Sequence, residues 1–170
     1  MKYLFLLLPF ATFLFHGETL QVSSSAFKNG ENIPPQFTCE GENISPALTI
    51  KGFPATAKSL AVIMEDPDAP NGTFVHWVMW NIPPKEIIAE NTKPGLEGKN
   101  GTGGYGYTGP CPPNGKHHYH FKVYALPTML QLTKEAGKTE LLNAMNGHML
   151  ASGEIIGLYE IQKLQLGNGQ

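Results

Sequence analysis

The chain has no arginine: all twelve of its basic residues are lysines. Recognition of phosphate or carboxylate therefore cannot use the bidentate guanidinium fork and falls to histidine, lysine and backbone amides. An excess of charge of one sign is also missing. The formal net charge is -2 and no long basic run occurs, which removes the electrostatic footprint of a nucleic-acid binder. Cysteine is scarce, with only Cys39 and Cys111. In an oxidising compartment such a pair reads as a disulfide, elsewhere as two separate thiols, and the sequence is compatible with either. No Gly-x-Ser-x-Gly elbow is present, so the usual serine-hydrolase arrangement has no foothold.

What the chain does have is length for one domain with a core: 170 residues, 41% of them hydrophobic. It opens MKYLFLLLPFATFLFHG, where Lys2 precedes an apolar run from Tyr3 to Phe15. This is the layout of a secretory signal, too short to span a bilayer comfortably. A signal peptide is expected over 1–17, although no small-x-small triplet marks a cleavage site; an uncleaved interfacial anchor is the alternative. The expected location is periplasmic or secreted. A single domain is expected over 18–162, followed by a disordered tail at 163–170.

Glycine and proline fall between short β-prone runs, the punctuation of a β-rich domain. Strands are expected at Leu20–Ser24, Ala47–Ile50, Ser59–Glu65, Phe74–Ile82, His117–Leu126 and Ile155–Ile161. One helix is expected in TELLNAMNGHML (139–150), where Leu141, Leu142, Met145, Met149 and Leu150 recur at helical spacing and form one buried stripe. His148 is read as a surface or packing histidine of that helix.

Three clusters at strand ends could carry chemistry, because loops held on a rigid sheet commonly do. In EDPDAP (65–70), Pro67 and Pro70 stiffen a turn that holds Asp66 and Asp68. In FVHWVMWNIP (74–83), alternation places His76 with Val78 and Trp80 on one face and Val75, Trp77 and Met79 on the other. In GYTGPCPPNGKHHYHFKVY (106–124), alternation turns His117, Tyr119, Phe121 and Val123 one way and His118, His120, Lys122 and Tyr124 the other. Neighbouring strand residues point oppositely, so this histidine run is not one metal site. A site of Asp66, His76 and His117 has chemically suitable metal ligands but no spacing signature. An ordinary ligand pocket is the better-supported reading, with no metal or cofactor expected. Cys111 as a catalytic thiol is a minority reading, given its proline-flanked loop and its available partner.

Taken together, CEGENISPAL (39–48), EDPDAP, FVHWVMWNIP, GYTGPCPPNGKHHYHFKVYAL (106–126) and ELLNAMNGHMLASGEIIGLYE (140–160) resemble the phosphatidylethanolamine-binding proteins, in particular the bacterial branch also called Raf-kinase-inhibitor-like. The resemblance implies a mainly β fold, a large antiparallel sheet packed on a smaller one with one or two peripheral helices. It implies a small anion pocket for phosphate or phosphorylated headgroup-like ligands, formed by Asp66, Asp68, Pro70, His76, Gly109, Pro110, His117 and Tyr119. It implies a non-enzymatic binding protein. An inhibitor or interaction module for a kinase, protease or other protein is the alternative, and a metal-dependent hydrolase is the weaker one. Membrane contact is expected only through an uncleaved N-terminus or lipid headgroups. A carboxylate beside the histidines is expected to raise their pKa values and strengthen anion binding toward mildly acidic pH. Phe74 stands where eukaryotic members often carry Trp.

Overall fold

The run SLAVIMED at 59–66 is buried at every position, as a strand must be when both faces of its sheet are covered. In a computed structural model, which describes residues 18–161, this run is a central strand. The expected signal segment at 1–17 and tail at 163–170 lie outside the described residues. The elements are β1 (Glu18–Thr19), β2 (Gln21–Ser23), β3 (Leu48–Lys51), β4 (Ser59–Asp66), β5 (Phe74–Ile82), β6 (Ile87–Ile88), β7 (Leu96–Glu97), β8 (His117–Leu126), α1 (Lys138–Met145) and β9 (Ala151–Tyr159). The large sheet runs β1-β9-β8-β4-β5-β7 and the small one β2-β3-β6. All pairings are antiparallel except β1 with β9. The expected mainly β architecture of two sheets and a peripheral helix is what the chain adopts.

Two apolar layers follow. Leu48, Ile50 and Ile88 of the small sheet meet Val62, Met64, Trp77, Met79, Phe121 and Val123 of the large one. On the opposite face Ala61, Ile63, Val78 and Trp80 pack against Leu141 and Met145 of α1. Fully burying each such side chain contributes about 1.5–3 kcal/mol. α1 is also held by charge: Glu65 is paired with Lys122 Nζ at 2.6 Å and with Lys138 at the first turn of the helix. Burial pushes the Glu65 carboxyl up, but the hydrogen bonds and charges of the two ammonium groups prevail and hold it below its ordinary value.

The helix is shorter than its apolar spacing suggests. It ends at Met145, before Asn146 and a Gly147 at φ 75°, a left-handed position that glycine takes without strain. Met149 is therefore not part of a buried stripe but 47% exposed, and His148 lies beyond the helix, exposed. β9 begins at Ala151 rather than Ile155, because pairing along the whole of β8, from His117↔Tyr159 to Ala125↔Ala151, draws residues 151–154 into the sheet. The two-residue strands β1, β6 and β7 carry too little pattern to be seen in the sequence.

Strict alternation also fails in β5. Met64 pairs with Trp77 and the next residue, Glu65, with Val75, which leaves His76 as the extra residue of a β-bulge. His76 and Trp77 consequently share the inner face, while Val75 joins Val78 and Trp80 on the outer one. The expected grouping of His76 with Val78 and Trp80 is thus overturned by one unpaired residue. A second irregularity between Leu60↔Ile82 and Val62↔Met79 takes up Asn81 at φ 57°; its amide donates to and accepts from the Leu130 backbone at 2.9 and 2.7 Å.

The two cysteines are bridged. Cys39 and Cys111 are 72 residues apart with Cα atoms separated by 5.4 Å. In the chain-entropy account a loop of this length contributes about 4–5 kcal/mol. Reduction, or joint Cys39→Ser and Cys111→Ser substitution, is expected to lower the unfolding free energy by an amount approaching that figure. Chemical denaturation with and without a dithiol measures it; coincident unfolding curves would refute it.

Candidate ligand-binding site

Asp66 ends β4 and His117 begins β8, and antiparallel pairing of these strands (Glu65↔His120) sets the two ends side by side. The His117 Nδ1–H donates to Asp66 Oδ2 at 2.7 Å, and both side chains are buried. The bulge turns His76 inward beside them. Its Nδ1–H donates to the Thr108 carbonyl at 2.6 Å, while Thr108 N–H donates back to the His76 carbonyl at 2.9 Å. Tyr119, 0% exposed, packs its ring edge-on to His76 and stacked on His117. Its hydroxyl is buried and has no hydrogen-bond partner, a costly state for a buried donor.

These groups line a cavity of ≈ 320 Å³ with Ala69, Pro70, Phe74, Thr102, Thr108, Gly109, Cys111, Pro112 and Pro113. Of the residues expected to form the site, Asp66, Pro70, His76, Gly109, His117 and Tyr119 converge there. Asp68 does not line it. Its Oδ2 accepts from the backbone N–H and the Nδ1–H of His118 at 2.8 and 2.7 Å, on the outer side of the sheet; those hydrogen bonds hold its carboxyl below the ordinary value. Its backbone N–H donates to Asp66 Oδ1 at 2.8 Å, so Asp68 positions the turn. Pro110 is buried behind the wall, where its carbonyl accepts from Cys39 N–H at 3.1 Å.

The wall itself depends on close approach. Gly109 N–H donates to Asn43 Oδ1 at 2.7 Å, and a Cβ at Gly109 would lie 2.6 Å from both Asn43 Oδ1 and the Phe37 carbonyl. Tyr107 O–H also donates to the Phe37 carbonyl, at 2.7 Å. Asn100 organises the preceding turn. Its Nδ2 donates to the Gly106 carbonyl and Thr108 Oγ1, both at 3.0 Å, and its Oδ1 accepts from Thr102. Asn100 and Thr102 sit in a Gly-rich stretch without a chemical pattern, so sequence reading missed them; Thr108, Pro112 and Pro113 lie within the motif at 106–126 but were not assigned to the site.

Electrostatics correct one expectation. Burial pushes the His76 imidazole below its ordinary value, and this outweighs the Thr108 hydrogen bond and the Asp66 charge that would raise it. Burial, reinforced by Asp66 and Asp68, pushes the Tyr119 phenol far up, so it stays an O–H donor. A larger hollow of ≈ 600 Å³ lies between residues 32–35, 114–116 and the end of β9. Its charged side chains, Lys116 and Glu160, are exposed, and among the described residues no buried polar side-chain atom without a partner lines it. Convergence of buried polar groups, not size, singles out the smaller cavity.

The chain is thus a mainly β protein of two packed sheets, with a buried Asp–His pair, a second histidine and a tyrosine gathered at one end of the large sheet. The profile of the phosphatidylethanolamine-binding proteins matches residues 23–160, and the chain belongs to that family. A UPF0098 protein of Pyrococcus abyssi is 50% identical over 155 residues, covering 85% of this chain and 87% of the relative. Among solved structures, the Chlamydia trachomatis phosphatidylethanolamine-binding-protein homologue CT736 superposes with a TM-score of 0.82 at 40% identity, covering 85% of this chain and 99% of its own. Escherichia coli YbcL, described as a member of the mammalian family, gives 0.78 at 35% identity, covering 84% and 99%.

Two predictions follow from the geometry. Because folded His76 binds a proton less readily than unfolded His76, whose ordinary value is 6.5, its contribution to stability is present above that value and lost as pH falls through the folded one. A histidine NMR titration should place the His76 ring below 6.5; titration at or above it would refute the burial argument. Gly109→Ala should displace the cavity wall, visible as shifts of the His76 and Tyr119 resonances, whereas an unperturbed spectrum would show that the contact with Asn43 yields freely.

Proposed function

We propose that the protein is an exported, non-enzymatic binding protein whose cavity takes a small phosphorylated or otherwise anionic ligand. The observation that carries this reading is the unpartnered Tyr119 hydroxyl, buried in a cavity where the His117–Asp66 pair and His76 also converge. A buried donor without a partner has a place for a ligand oxygen. The chemistry fits binding better than turnover. Among the described residues no hydroxyl or thiol is hydrogen-bonded to either histidine, and Cys111 in the lining is bridged to Cys39, so no activated nucleophile is in place. The remaining lining is largely apolar, from Pro70, Phe74, Pro112 and Pro113, which suits a headgroup-sized ligand with a short organic substituent. Export is supported by the exposed Cys39–Cys111 bridge, which persists in an oxidising compartment.

The test is titration of the protein with phosphoethanolamine by calorimetry, wild type beside His117→Ala. Saturable binding by the wild type, weakened by an order of magnitude or more in the variant and insensitive to a chelator, is expected. Turnover of a phosphoester that a chelator abolishes would favour a metal-dependent hydrolase instead. Folded protein that fails to bind would move the reading to a protein partner.

A further inference from the structure

One stretch of the cavity wall is held unlike the rest. Up to Pro110 the wall is hydrogen-bonded: Thr108 N–H donates to the His76 carbonyl, Gly109 N–H to Asn43 Oδ1, and the Pro110 carbonyl accepts from Cys39 N–H. From His117 the chain is strand, paired with Tyr159. Between these ends, residues 111–116 make no hydrogen bond with any described residue. Pro112 and Pro113 have no N–H to give. Asn114, Gly115 and Lys116 form an exposed turn, with Gly115 at φ 66° and open space where a Cβ would stand. The specific tie on this strap is the Cys39–Cys111 bridge. Its far end is anchored, because Tyr107 O–H donates to the Phe37 carbonyl and Tyr159 O–H to the Glu40 carboxylate. The strap borders two spaces: Cys111, Pro112 and Pro113 line the cavity, while Asn114, Gly115 and Lys116 line the larger hollow. Both cysteines are exposed, so a thiolate from solution has access to the bridge.

We infer that the Cys39–Cys111 bridge is a thiol–disulfide exchange site that gates the cavity. Intact, it holds the strap as a wall; reduced by a dithiol, it releases the strap and the cavity opens toward the neighbouring hollow. The effect on ligand rests on the anion-binding reading of the cavity, whereas the opening itself does not. One thiolate of the dithiol attacks a bridge sulfur, breaks the S–S bond and expels the other cysteine as a thiolate. The second sulfur of the dithiol then displaces the first cysteine from the mixed disulfide. The dithiol gives up two electrons and leaves as its cyclic disulfide, and its two protons end on Cys39 and Cys111. The sheet does not rely on the bridge for its register, since β8 is paired with both β4 and β9. Opening is therefore local. It reaches the site through Pro110 and Gly109 to Thr108, whose carbonyl fixes the His76 ring. Apparent affinity falls with the fraction of time the wall is in place, about tenfold when that fraction is about a tenth.

The experiment compares the intact protein before and after treatment with dithiothreitol, without denaturant, the thiols being counted by alkylation and mass. Amide hydrogen exchange is expected to quicken on the order of tenfold or more at Cys39 and Gly109, whose N–H groups bond across the contact that the bridge clamps, while the amides of β4 and β8 keep their protection. In calorimetric titration with inorganic phosphate, affinity is expected to fall about tenfold on reduction and to recover on reoxidation. Cys39→Ser removes the bridge without altering a lining residue; it should match the reduced protein and cease to respond to the dithiol. Unchanged exchange at Cys39 and Gly109 after full reduction would overturn the gate. Equal phosphate affinity in the two states would do the same, as would protection lost throughout β4 and β8, which would make the bridge a brace for the whole fold. Oxidised protein that takes no phosphate would defeat the anion reading alone, and faster exchange at Cys39 and Gly109 would still support the opening.

Discussion

β8 is paired on both sides, with β4 from Glu65↔His120 to Ser59↔Leu126 and with β9 from His117↔Tyr159 to Ala125↔Ala151. This double pairing is the constraint on which the rest depends. It leaves no freedom to slip by one residue, because a slip would exchange Tyr119, Phe121 and Val123, now buried, with His118, His120 and Lys122, now turned outward. With that register set, His117 must face inward at the strand's first position. The carboxylate closing β4 is then within reach of it. The site is a by-product of the sheet's most heavily specified contact.

The Asp66-Pro67-Asp68 turn serves both faces of the sheet at once. Asp66 takes the inward histidine of β8 and Asp68 the outward one, with the Asp68 N–H bonded back to Asp66 Oδ1. The inner pair is buried, whereas the outer is solvent-exposed and energetically minor. Two chemically identical pairs thus differ in worth because one is desolvated. The same desolvation lowers the pKa of His76 and raises that of Tyr119, so burial outweighs the charges beside these two groups.

Much of this is legible in the amino-acid order. The apolar runs and their Gly/Pro punctuation specify a β-rich domain, β5 and β8 coincide with their expected spans, and period-two alternation in HHYHFKV assigns His117 and Tyr119 to one face. Those inferences hold because regular strands tie side-chain direction to sequence position. Family motifs then identify six residues that do meet in one cavity.

What tertiary structure alone decides lies where that tie is broken or where chain segments distant in sequence meet. A bulge against Met64 and Glu65 reverses the side to which His76 points, and nothing local announces an extra residue. Whether Cys39 and Cys111 join depends on the approach of residues 37–43 to the 107–113 loop, across 72 positions of sequence. Asp68 and Pro110 belong to the motifs but not to the cavity, because a motif records neighbours along the chain and a cavity records neighbours in space. The sign of the His76 shift is likewise a tertiary property: sequence shows the nearby carboxylate, but only packing shows how completely water is excluded.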